Sequence, residues 1–342
     1  MTVLVTGGAG FIGSHAVQRL LAEGHKVVAI DNLFRGHRKP MELLAERHPG
    51  RLMFEQCDIA DAGRIGELLV EHAVDTVMHF AAKAYVGESV DDPIDYYENN
   101  TAGSISLLKA CDASGVERFV FSSTAATYGE PPDHMVPIPE DCPKEPINPY
   151  GYSKLVFERV LQDWAHARKQ AGRPVAFAAL RYFNVAGSDR TGLLGEDHTP
   201  ETHLIPVILQ AAMGTRSHIA IFGTDYPTPD GTCQRDYVHV EDLIDAHVRV
   251  MEALKPGDDR RYNIGIGRPY SVREVVDAAK RVTGVDFEVR EAERRPGDPA
   301  RLYADPSRIR SELGWEAQVT DLDEIIASAW NWMRKHPKGY SS

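Results

Sequence analysis

The chain has 342 residues, of which 43% are apolar and 26% charged, the composition of an ordinary globular protein. Its 50 acidic and 38 basic residues give a formal charge of −12, which disfavours nucleic acid or an anionic membrane as a partner. The four cysteines are widely scattered and no apolar run approaches membrane-spanning length, so we expect a cytoplasmic protein with no metal site.

The first thirty residues have the pattern of a nucleotide-binding unit. A buried strand at Val3–Val5 leads into glycines at Gly7, Gly10 and Gly13, then into an amphipathic helix and a second strand that ends at Asp31. Glycines allow the backbone to approach a diphosphate, and the helix N-terminus supplies amide donors. Asp31 is placed to accept hydrogen bonds from a ribose and would repel a 2′-phosphate, which favours NAD over NADP. Arg35 lies close enough to weaken that preference.

The alternation of strands and helices continues along the first half of the chain. Strands are predicted near 51–55, 75–82, 118–123 and 175–180, with a long helix between Pro93 and Ser114. This pattern predicts a Rossmann-type doubly wound parallel sheet in an NAD-binding domain over 1–185. After Gly187 the composition shifts to Gly, Asp, Thr and Pro, and we expect a smaller α/β substrate domain over 186–342. Segments near 236–248 and 262–265 are expected to return to the first domain.

A Tyr-x-x-x-Lys pair opens a helix near the middle of the chain. Pro149 favours a helix start, and residues four apart lie on one helical face, so Tyr150 and Lys154 can point into the same space. A nearby ammonium is expected to lower the pKa of the phenol and make it a proton acceptor. The same spacing also arises by chance as a surface pair.

Together, the Gly-x-x-Gly-x-x-Gly loop and the Tyr-x-x-x-Lys pair resemble the short-chain dehydrogenase/reductase family. Longer motifs resemble the UDP-glucose (UDP-galactose) 4-epimerases within it, including 121–129 (FSSTAATYG), 180–184 (LRYFN), 230–237 (DGTCQRDY) and 294–298 (RRPGD). The resemblance implies an enzyme that epimerises UDP-sugars at C4 through a transient 4-keto sugar. It also implies a tightly bound NAD regenerated in each turnover, and a homodimer formed through the helices near 93–114 and 155–168.

The resemblance also implies roles for individual residues. Tyr150 is the base, Lys154 lowers its pKa and binds the nicotinamide ribose, and Thr124 bridges the sugar O4 and the Tyr150 oxygen. The remaining cofactor positions are Gly7, Gly10, Phe11, Ile12, Gly13, Asp31, Asn32, Asp58, Ile59, Phe80, Ala81, Ala82, Asn99 and Tyr182. The positions around the UDP-sugar, beside Thr124 and Tyr150, are Asn184, His203, Leu204, Phe222, Arg235, Arg295, Asp298 and Leu302. Lys83 stands next to a position where some relatives carry a lysine, and its contact with the pyrophosphate is open.

Several alternatives remain open at this stage. Ala125 and Ala126 follow Thr124 where the related dehydratases carry an acid, which favours an epimerase. A UDP-xylose/UDP-arabinose 4-epimerase has the same chemistry at C4, and no residue clearly excludes a pentose. Leu302 is intermediate between the large residue that excludes an N-acetylated sugar and the small one that admits it. A catalytically dead NAD-binding regulator is disfavoured, because Tyr150 and Lys154 are both present. His15, His79 and His239 are expected to pack or cap rather than to bind metal.

Overall fold

The computed structural model describes residues 1–295 and 298–341. The described strands, in chain order, are β1 (Thr2–Thr6), β2 (Lys26–Asp31), β3 (Leu52–Gln56), β4 (Thr76–His79), β5 (Arg118–Thr124), β6 (Ala176–Tyr182), β7 (Asn184–Ala186), β8 (Ile219–Phe222), β9 (Gln234–Arg235), β10 (Tyr237–His239), β11 (Asp259–Ile264), β12 (Tyr270–Ser271), β13 (Val289–Ala292) and β14 (Arg301–Leu302).

The described α-helices are α1 (Phe11–Ala22), α2 (Arg38–Arg47), α3 (Ala62–Glu71), α4 (Val86–Asp91), α5 (Pro93–Tyr96), α6 (Ser104–Ser114), α7 (Pro149–Gln170), α8 (Leu204–Ala212), α9 (Val240–Ala253), α10 (Val272–Thr283), α11 (Ser307–Leu313) and α12 (Leu322–Lys335). A π-helix at Tyr97–Gly103 joins α5 to α6, so the long helix predicted between Pro93 and Ser114 is helical throughout. Among the described residues, no helix is both long enough and apolar enough to cross a bilayer.

Two compact units make up the chain. The first consists of Met1–Gly129, Lys144–Arg181 and Ile244–Tyr262. The second consists of Glu130–Pro143, Tyr182–Leu243 and the described residues of Asn263–Ser342.

The central sheet has the strand order β11-β6-β5-β4-β1-β2-β3. The pairs β3–β2, β2–β1, β1–β4 and β4–β5 are parallel, as the sequence predicted. The run Val3–Val5 is fully buried, because helices cover both faces of a doubly wound sheet. The carboxyl ends of β1, β2, β4 and β5 therefore lie along one edge, where ligands bind in such sheets.

The second unit contains shorter strands and its own apolar core. β8 and β13 pair in parallel, and β9 lies between β12 and β14. Buried side chains from α8, α10 and α12, such as Ile208, Val275 and Ile325, form the core beside them. Of the two segments expected to return to the first domain, β11 joins the seven-stranded sheet, whereas β10 pairs with β7 in a separate two-stranded sheet.

Candidate active site

The glycine loop joins β1 to α1 and leaves no room for side chains. Gly7 has a φ of 67°, and a Cβ there would lie 2.6 Å from the backbone nitrogen of Ala81. A Cβ on Gly13 would lie 2.0 Å from the carbonyl oxygen of Gly7. No side chain of the described residues caps α1 at Gly10, so the amides of its first turn, at Phe11, Ile12 and Gly13, face outward from an open helix end. This cradle fits the diphosphate of a dinucleotide.

Asp31 lies at the end of β2, beside the glycine loop. Its carboxylate accepts hydrogen bonds from the amides of Ala9, at 3.1 Å, and Leu33, at 2.8 Å. Burial outweighs these two bonds and raises the pKa of Asp31. The side chain therefore stiffens the loop, besides standing where a ribose is expected.

The residues expected around the adenine also meet. The Asn32 side-chain amide donates to Asp58 Oδ2 at 2.7 Å, and Asp58 Oδ1 accepts from the amide of Ala60. Ile59 is 5% exposed and lies under Gly103, where a Cβ would come within 3.1 Å of the isoleucine side chain.

Two cations near the loop are engaged elsewhere. Arg35 pairs with Glu88 at 2.7 Å, and its guanidinium carbon lies 3.9 Å from the ring centroid of Tyr85. Lys83 pairs with Asp95, and its ammonium lies 4.6 Å from the ring centroid of Phe34. In this structure, each cation is therefore matched by a carboxylate of the first unit.

The segment after β4 is held by a buried amide. Asn100 accepts a hydrogen bond from the amide of Lys83 at 2.8 Å and donates to the carbonyl of Lys83 and to the hydroxyl of Ser153. Phe80, Ala81 and Ala82 lie in the segment that Asn100 fixes, with the ring of Phe80 5.0 Å from that of His247. Asn99, a predicted cofactor residue, lies beside Asn100 in the π-helix, a feature often found at functional sites.

Thr124 and Tyr150 meet where β5 ends and α7 begins. Asn148 caps α7 by accepting a hydrogen bond from the amide of Gly151, so the helix starts where Pro149 predicted. The Thr124 hydroxyl hydrogen-bonds the Tyr150 phenol, and this bond favours the phenolate. The ring of Tyr150 also packs edge-on against Tyr96, with centroids 6.5 Å apart. The pair is thus assembled without any help from the amino group of Lys154.

The pKa expectation for Tyr150 is wrong in this structure. Burial raises the pKa of Tyr150, and the bond from Thr124 offsets only part of that effect. The Lys154 Nζ donates a hydrogen bond to the backbone carbonyl of Ser122 at 2.8 Å and lies 4.8 Å from the ring centroid of Phe121. Burial lowers the pKa of Lys154 to about 7, against a smaller opposing effect of Glu158, so the ammonium is only partly charged at neutral pH.

A buried ion pair links α7, which carries Tyr150 and Lys154, to β5 and β6. Glu158, one turn after Lys154, receives two hydrogen bonds from Arg181, at 2.9 and 2.5 Å, and one from the hydroxyl of Ser123 at 2.5 Å. Arg181 also donates to the phenol of Tyr128 at 2.9 Å. Neither Glu158 nor Arg181 is among the site residues predicted from the sequence. Their only signal was an acid at i+4 from Lys154 on a face otherwise expected to be apolar.

In the second unit, three of the predicted substrate residues come together around β9. Arg235 pairs with Asp298 and donates to the carbonyl of Gln234 at 2.7 Å. Leu302 on β14 is the parallel register partner of Arg235. The arginine is 11% exposed at its side chain, so its fork lies in a largely enclosed place.

Arg295 and Asn184 are two further predicted substrate residues of the second unit. The guanidinium carbon of Arg295 lies 3.9 Å from the ring centroid of Phe222, at the end of β8. Asn184 begins β7, and its backbone N–H donates a hydrogen bond to the backbone carbonyl of Asp236 at 3.0 Å. Tyr182, which was predicted to bind the cofactor, is the last residue of β6.

His203 is the N-cap residue of α8, just before Leu204, although its side chain makes no capping hydrogen bond. It belongs to a cluster that was not expected from the sequence. Its Nδ1 lies 2.8 Å from Glu196 Oε1 and 3.2 Å from Glu201 Oε1. His198 Nδ1 faces the same two carboxylates. Burial opposes a charge on His203, but the two glutamates outweigh it and raise its pKa to about 10. The signal in the sequence was two Glu and two His within eight residues.

The three histidines expected to pack or cap make short hydrogen bonds. His79 is linked to Thr6 and Ser104, at 2.6 and 2.8 Å. His15 contacts the carbonyl of Phe11, and His239 contacts the hydroxyl of Ser328. Burial lowers the pKa of His79 well below its usual value, with a further contribution from Lys154.

Residues 3–265 match the profile of the NAD dependent epimerase/dehydratase family. The chain is 47% identical over 341 residues to a UDP-glucose 4-epimerase of Lacticaseibacillus casei, covering 99% of each chain. It is 46% identical over 346 residues to a probable UDP-arabinose 4-epimerase of Oryza sativa subsp. japonica, covering 99% of this chain and 84% of the relative.

A solved structure is similar over the same length. The crystal structure of UDP-glucose 4-epimerase from Bifidobacterium longum in complex with NAD+ and UDP has a TM-score of 0.93 at 38% identity. The alignment covers 99% of this chain and 100% of the other.

Proposed function

The chain belongs to the NAD-dependent epimerase/dehydratase family, and we propose that it interconverts UDP-glucose and UDP-galactose at C4. The observation that carries this proposal is the hydrogen-bonded Thr124–Tyr150 pair, with the buried Lys154 one helical turn after Tyr150. Ala125 and Ala126 directly follow Thr124. These two neighbours therefore provide no acid that could expel a leaving group from a sugar carbon beyond C4. The full-length similarity to a named UDP-glucose 4-epimerase supports the same substrate.

NAD fits the glycine cradle, the open N-terminus of α1 and the carboxylate of Asp31. When bound, NAD supplies a reversible hydride acceptor for sugar C4. Phe11, Ile12 and Gly13 would offer amides to the diphosphate, and Asp31 with Asn32 would bind the adenosine ribose. Asp58, Ile59, Phe80, Ala81, Ala82, Asn99 and Tyr182 would line the rest of the cofactor. The engagement of Arg35 by Glu88 supports NAD over NADP, since this arginine already has an anionic partner.

Thr124 and Tyr150 transfer the proton of the sugar O4 hydroxyl. Tyr150 removes it as C4 is oxidised to a ketone and returns it when C4 is reduced on the opposite face. The hydroxyl of Thr124 donates to the phenolate oxygen and so lowers the cost of ionising a buried phenol. Lys154 adds a partly charged ammonium and would bind the nicotinamide ribose. A general base of this kind contributes roughly 10²–10⁴ in rate.

The UDP-sugar would be held by residues of the second unit. Arginines suit a diphosphate because their fork donates two hydrogen bonds at once. Arg235 is held in place by Asp298, and Arg295 by stacking on Phe222. Asn184, His203 and Leu204 would complete the contacts to the nucleotide sugar, and Leu302 would face the C2 substituent. The rice relative favours a second candidate function, a UDP-xylose/UDP-arabinose 4-epimerase, since it is 46% identical over nearly the whole chain.

We also propose a cytoplasmic homodimer. Large apolar side chains are exposed on neighbouring helices of the first unit, namely Val90 at 61%, Ile94 at 69%, Tyr97 at 38%, Tyr152 at 45% and Val156 at 41%. Exposed apolar side chains on adjoining helices favour a protein interface, and the helices near 93–114 and 155–168 are those through which the resemblance implies a homodimer. Light scattering at micromolar concentration should then give the mass of two chains.

The decisive experiment compares Tyr150→Phe with Tyr152→Phe. Tyr150→Phe removes the proton acceptor, and we expect turnover of UDP-galactose to fall by about 10²–10⁴-fold. Tyr152 is on the same helix and 45% exposed, and phenylalanine keeps the apolar ring that the proposed dimer contact would use, so Tyr152→Phe should leave turnover near wild type. Wild-type turnover in Tyr150→Phe would refute the assignment. Chromatography of products from UDP-galactose and UDP-xylose, run in parallel, separates the two candidate substrates.

A further inference from the structure

A cluster of four metal-ligating side chains lies in the second unit, on the segment before α8. Glu196, His198, Glu201 and His203 each offer one donor atom, and these four atoms all lie within 4.8 Å of one another. We propose that this cluster is a binding site for a divalent transition metal, with Zn²⁺ as the ion that fits best. No metal site was expected from the sequence, because the four cysteines are widely scattered and form no cluster with histidines.

The distances between the donor atoms come close to those of a four-coordinate site. The two histidine Nδ1 atoms lie 2.8, 3.2, 3.2 and 3.6 Å from carboxylate oxygens of the two glutamates. Metal–donor bonds of about 2.0–2.2 Å in a tetrahedron place neighbouring donors about 3.3–3.6 Å apart. An ion could therefore enter after shifts of a few tenths of an ångström.

The donor set also suits the charge and softness of the ion. Two neutral imidazoles and two carboxylates around a divalent cation have no net charge. Imidazole favours zinc and its neighbours in the first transition series over magnesium or calcium, which prefer oxygen ligands alone. Three of the four side chains are 4–16% exposed, and His203, at 41%, leaves a path by which the ion can enter.

The segment that carries the ligands is fixed before any ion binds. Glu201 accepts hydrogen bonds from the amides of Thr202 and His203, at 2.7 and 2.8 Å. The carbonyl of His203 accepts the amide of Val207 in the first turn of α8. Between the first two ligands, Asp197 accepts the amide of Tyr340 at 2.8 Å. Preorganised ligands of this kind favour metal affinity.

The alternative occupant is a pair of protons. Two protonated histidines also neutralise the two glutamates, and a purely ionic cluster would then bind no metal. A metal ion binds the imidazole nitrogen only where no proton does, so the ion and the protons compete for the same histidine Nδ1 atoms. The test must therefore measure bound metal directly and not stability alone.

The experiment uses the full chain, stripped with a chelator, incubated with zinc chloride and freed of unbound ion by gel filtration. Metal analysis should give about one zinc per chain for the wild type. His198→Asn and Glu196→Gln should each weaken zinc binding by at least about 10-fold. Loss of a residue that only hydrogen-bonds a metal ligand already lowers metal affinity by about 10–100-fold, so loss of a ligand should cost at least as much. His25 lies in a second His/Glu group with Glu23 and Glu252, and His25→Asn is the matched control that should keep the zinc.

Two results would overturn the proposal: a folded wild-type chain that retains no zinc, or variants at His198 and Glu196 that retain as much as His25→Asn. If both variants fail to fold, side-chain nitrogen NMR of the wild type decides. Zinc should then shift the Nδ1 signals of two histidines, and those signals must not include His25. A shift at His25 alone, or no shift, contradicts the site.

Discussion

Replacing Glu158 by glutamine tests whether the buried ion pair supports the catalytic end of β5. The side chains of Arg181 and Glu158 are 1% and 3% exposed and share two hydrogen bonds. Glutamine keeps the shape but leaves Arg181 charged with no full anionic partner. Removing one member of a buried pair costs about 3–5 kcal/mol, because the remaining charge stays buried.

The adjacent residue provides the control. Arg159 pairs with Asp163 on the surface of the same helix, where the two side chains are 72% and 61% exposed. Exposed pairs of this kind are screened by solvent and contribute little to stability, so Arg159→Gln should change stability far less than Glu158→Gln does. The two neighbouring substitutions should therefore differ by several kcal/mol.

Native-state hydrogen exchange of the β5 and β6 amides measures this difference locally. A loss of about 3–5 kcal/mol corresponds to exchange faster by about 10²–10⁴-fold, at 1.4 kcal/mol per factor of ten. The interactions with Arg181 and Ser123 lower the pKa of Glu158 against the effect of burial. Its contribution is therefore present above the unfolded pKa near 4.5 and is lost as the pH falls through the lower folded value. Equal exchange in Glu158→Gln and Arg159→Gln at pH 7 would refute the reasoning.

Three further predictions concern the site itself. Lys154→Met should stabilise the ligand-free chain by up to about 4–5 kcal/mol at pH 7, and the gain should shrink towards pH 10.5. The reason is that burial lowers the folded pKa of Lys154 from 10.5 to about 7, so the unfolded chain binds more protons in that window; urea unfolding that gives a pH-independent gain would contradict this. Leu302→Tyr should suppress any turnover of UDP-N-acetylhexosamines while sparing UDP-galactose, and unchanged N-acetyl turnover would exclude the role of Leu302. Gly13→Ala should yield protein with little bound NAD, because its Cβ would lie 2.0 Å from the carbonyl oxygen of Gly7; Gly66→Ala, whose Cβ would meet only the Ser114 hydroxyl at 4.0 Å, should retain the cofactor in the absorbance spectrum of the purified protein.

Features encoded by neighbouring residues could be predicted from the sequence. The glycines at 7, 10 and 13, the acid at the end of β2 and the helix start at Pro149 are local patterns, and the structure has them where they were expected. The fold class followed from the alternation of strands and helices, since a strand buried on both faces has a recognisable run of apolar residues.

What only the tertiary structure decided depends on residues far apart in the chain. The spacing of Tyr150 and Lys154 could not show that Lys154 donates to Ser122, 32 residues earlier, or that burial raises the pKa of the phenol. Arg181 reaches Glu158 from β6, and Asp298 reaches Arg235 across 63 residues. Charge and burial act through space and not along the chain. The sequence therefore specified which residue types could transfer the proton of the sugar O4 hydroxyl. Folding determined the protonation and the partners of those residues, and it brought Glu196, His198, Glu201 and His203 together.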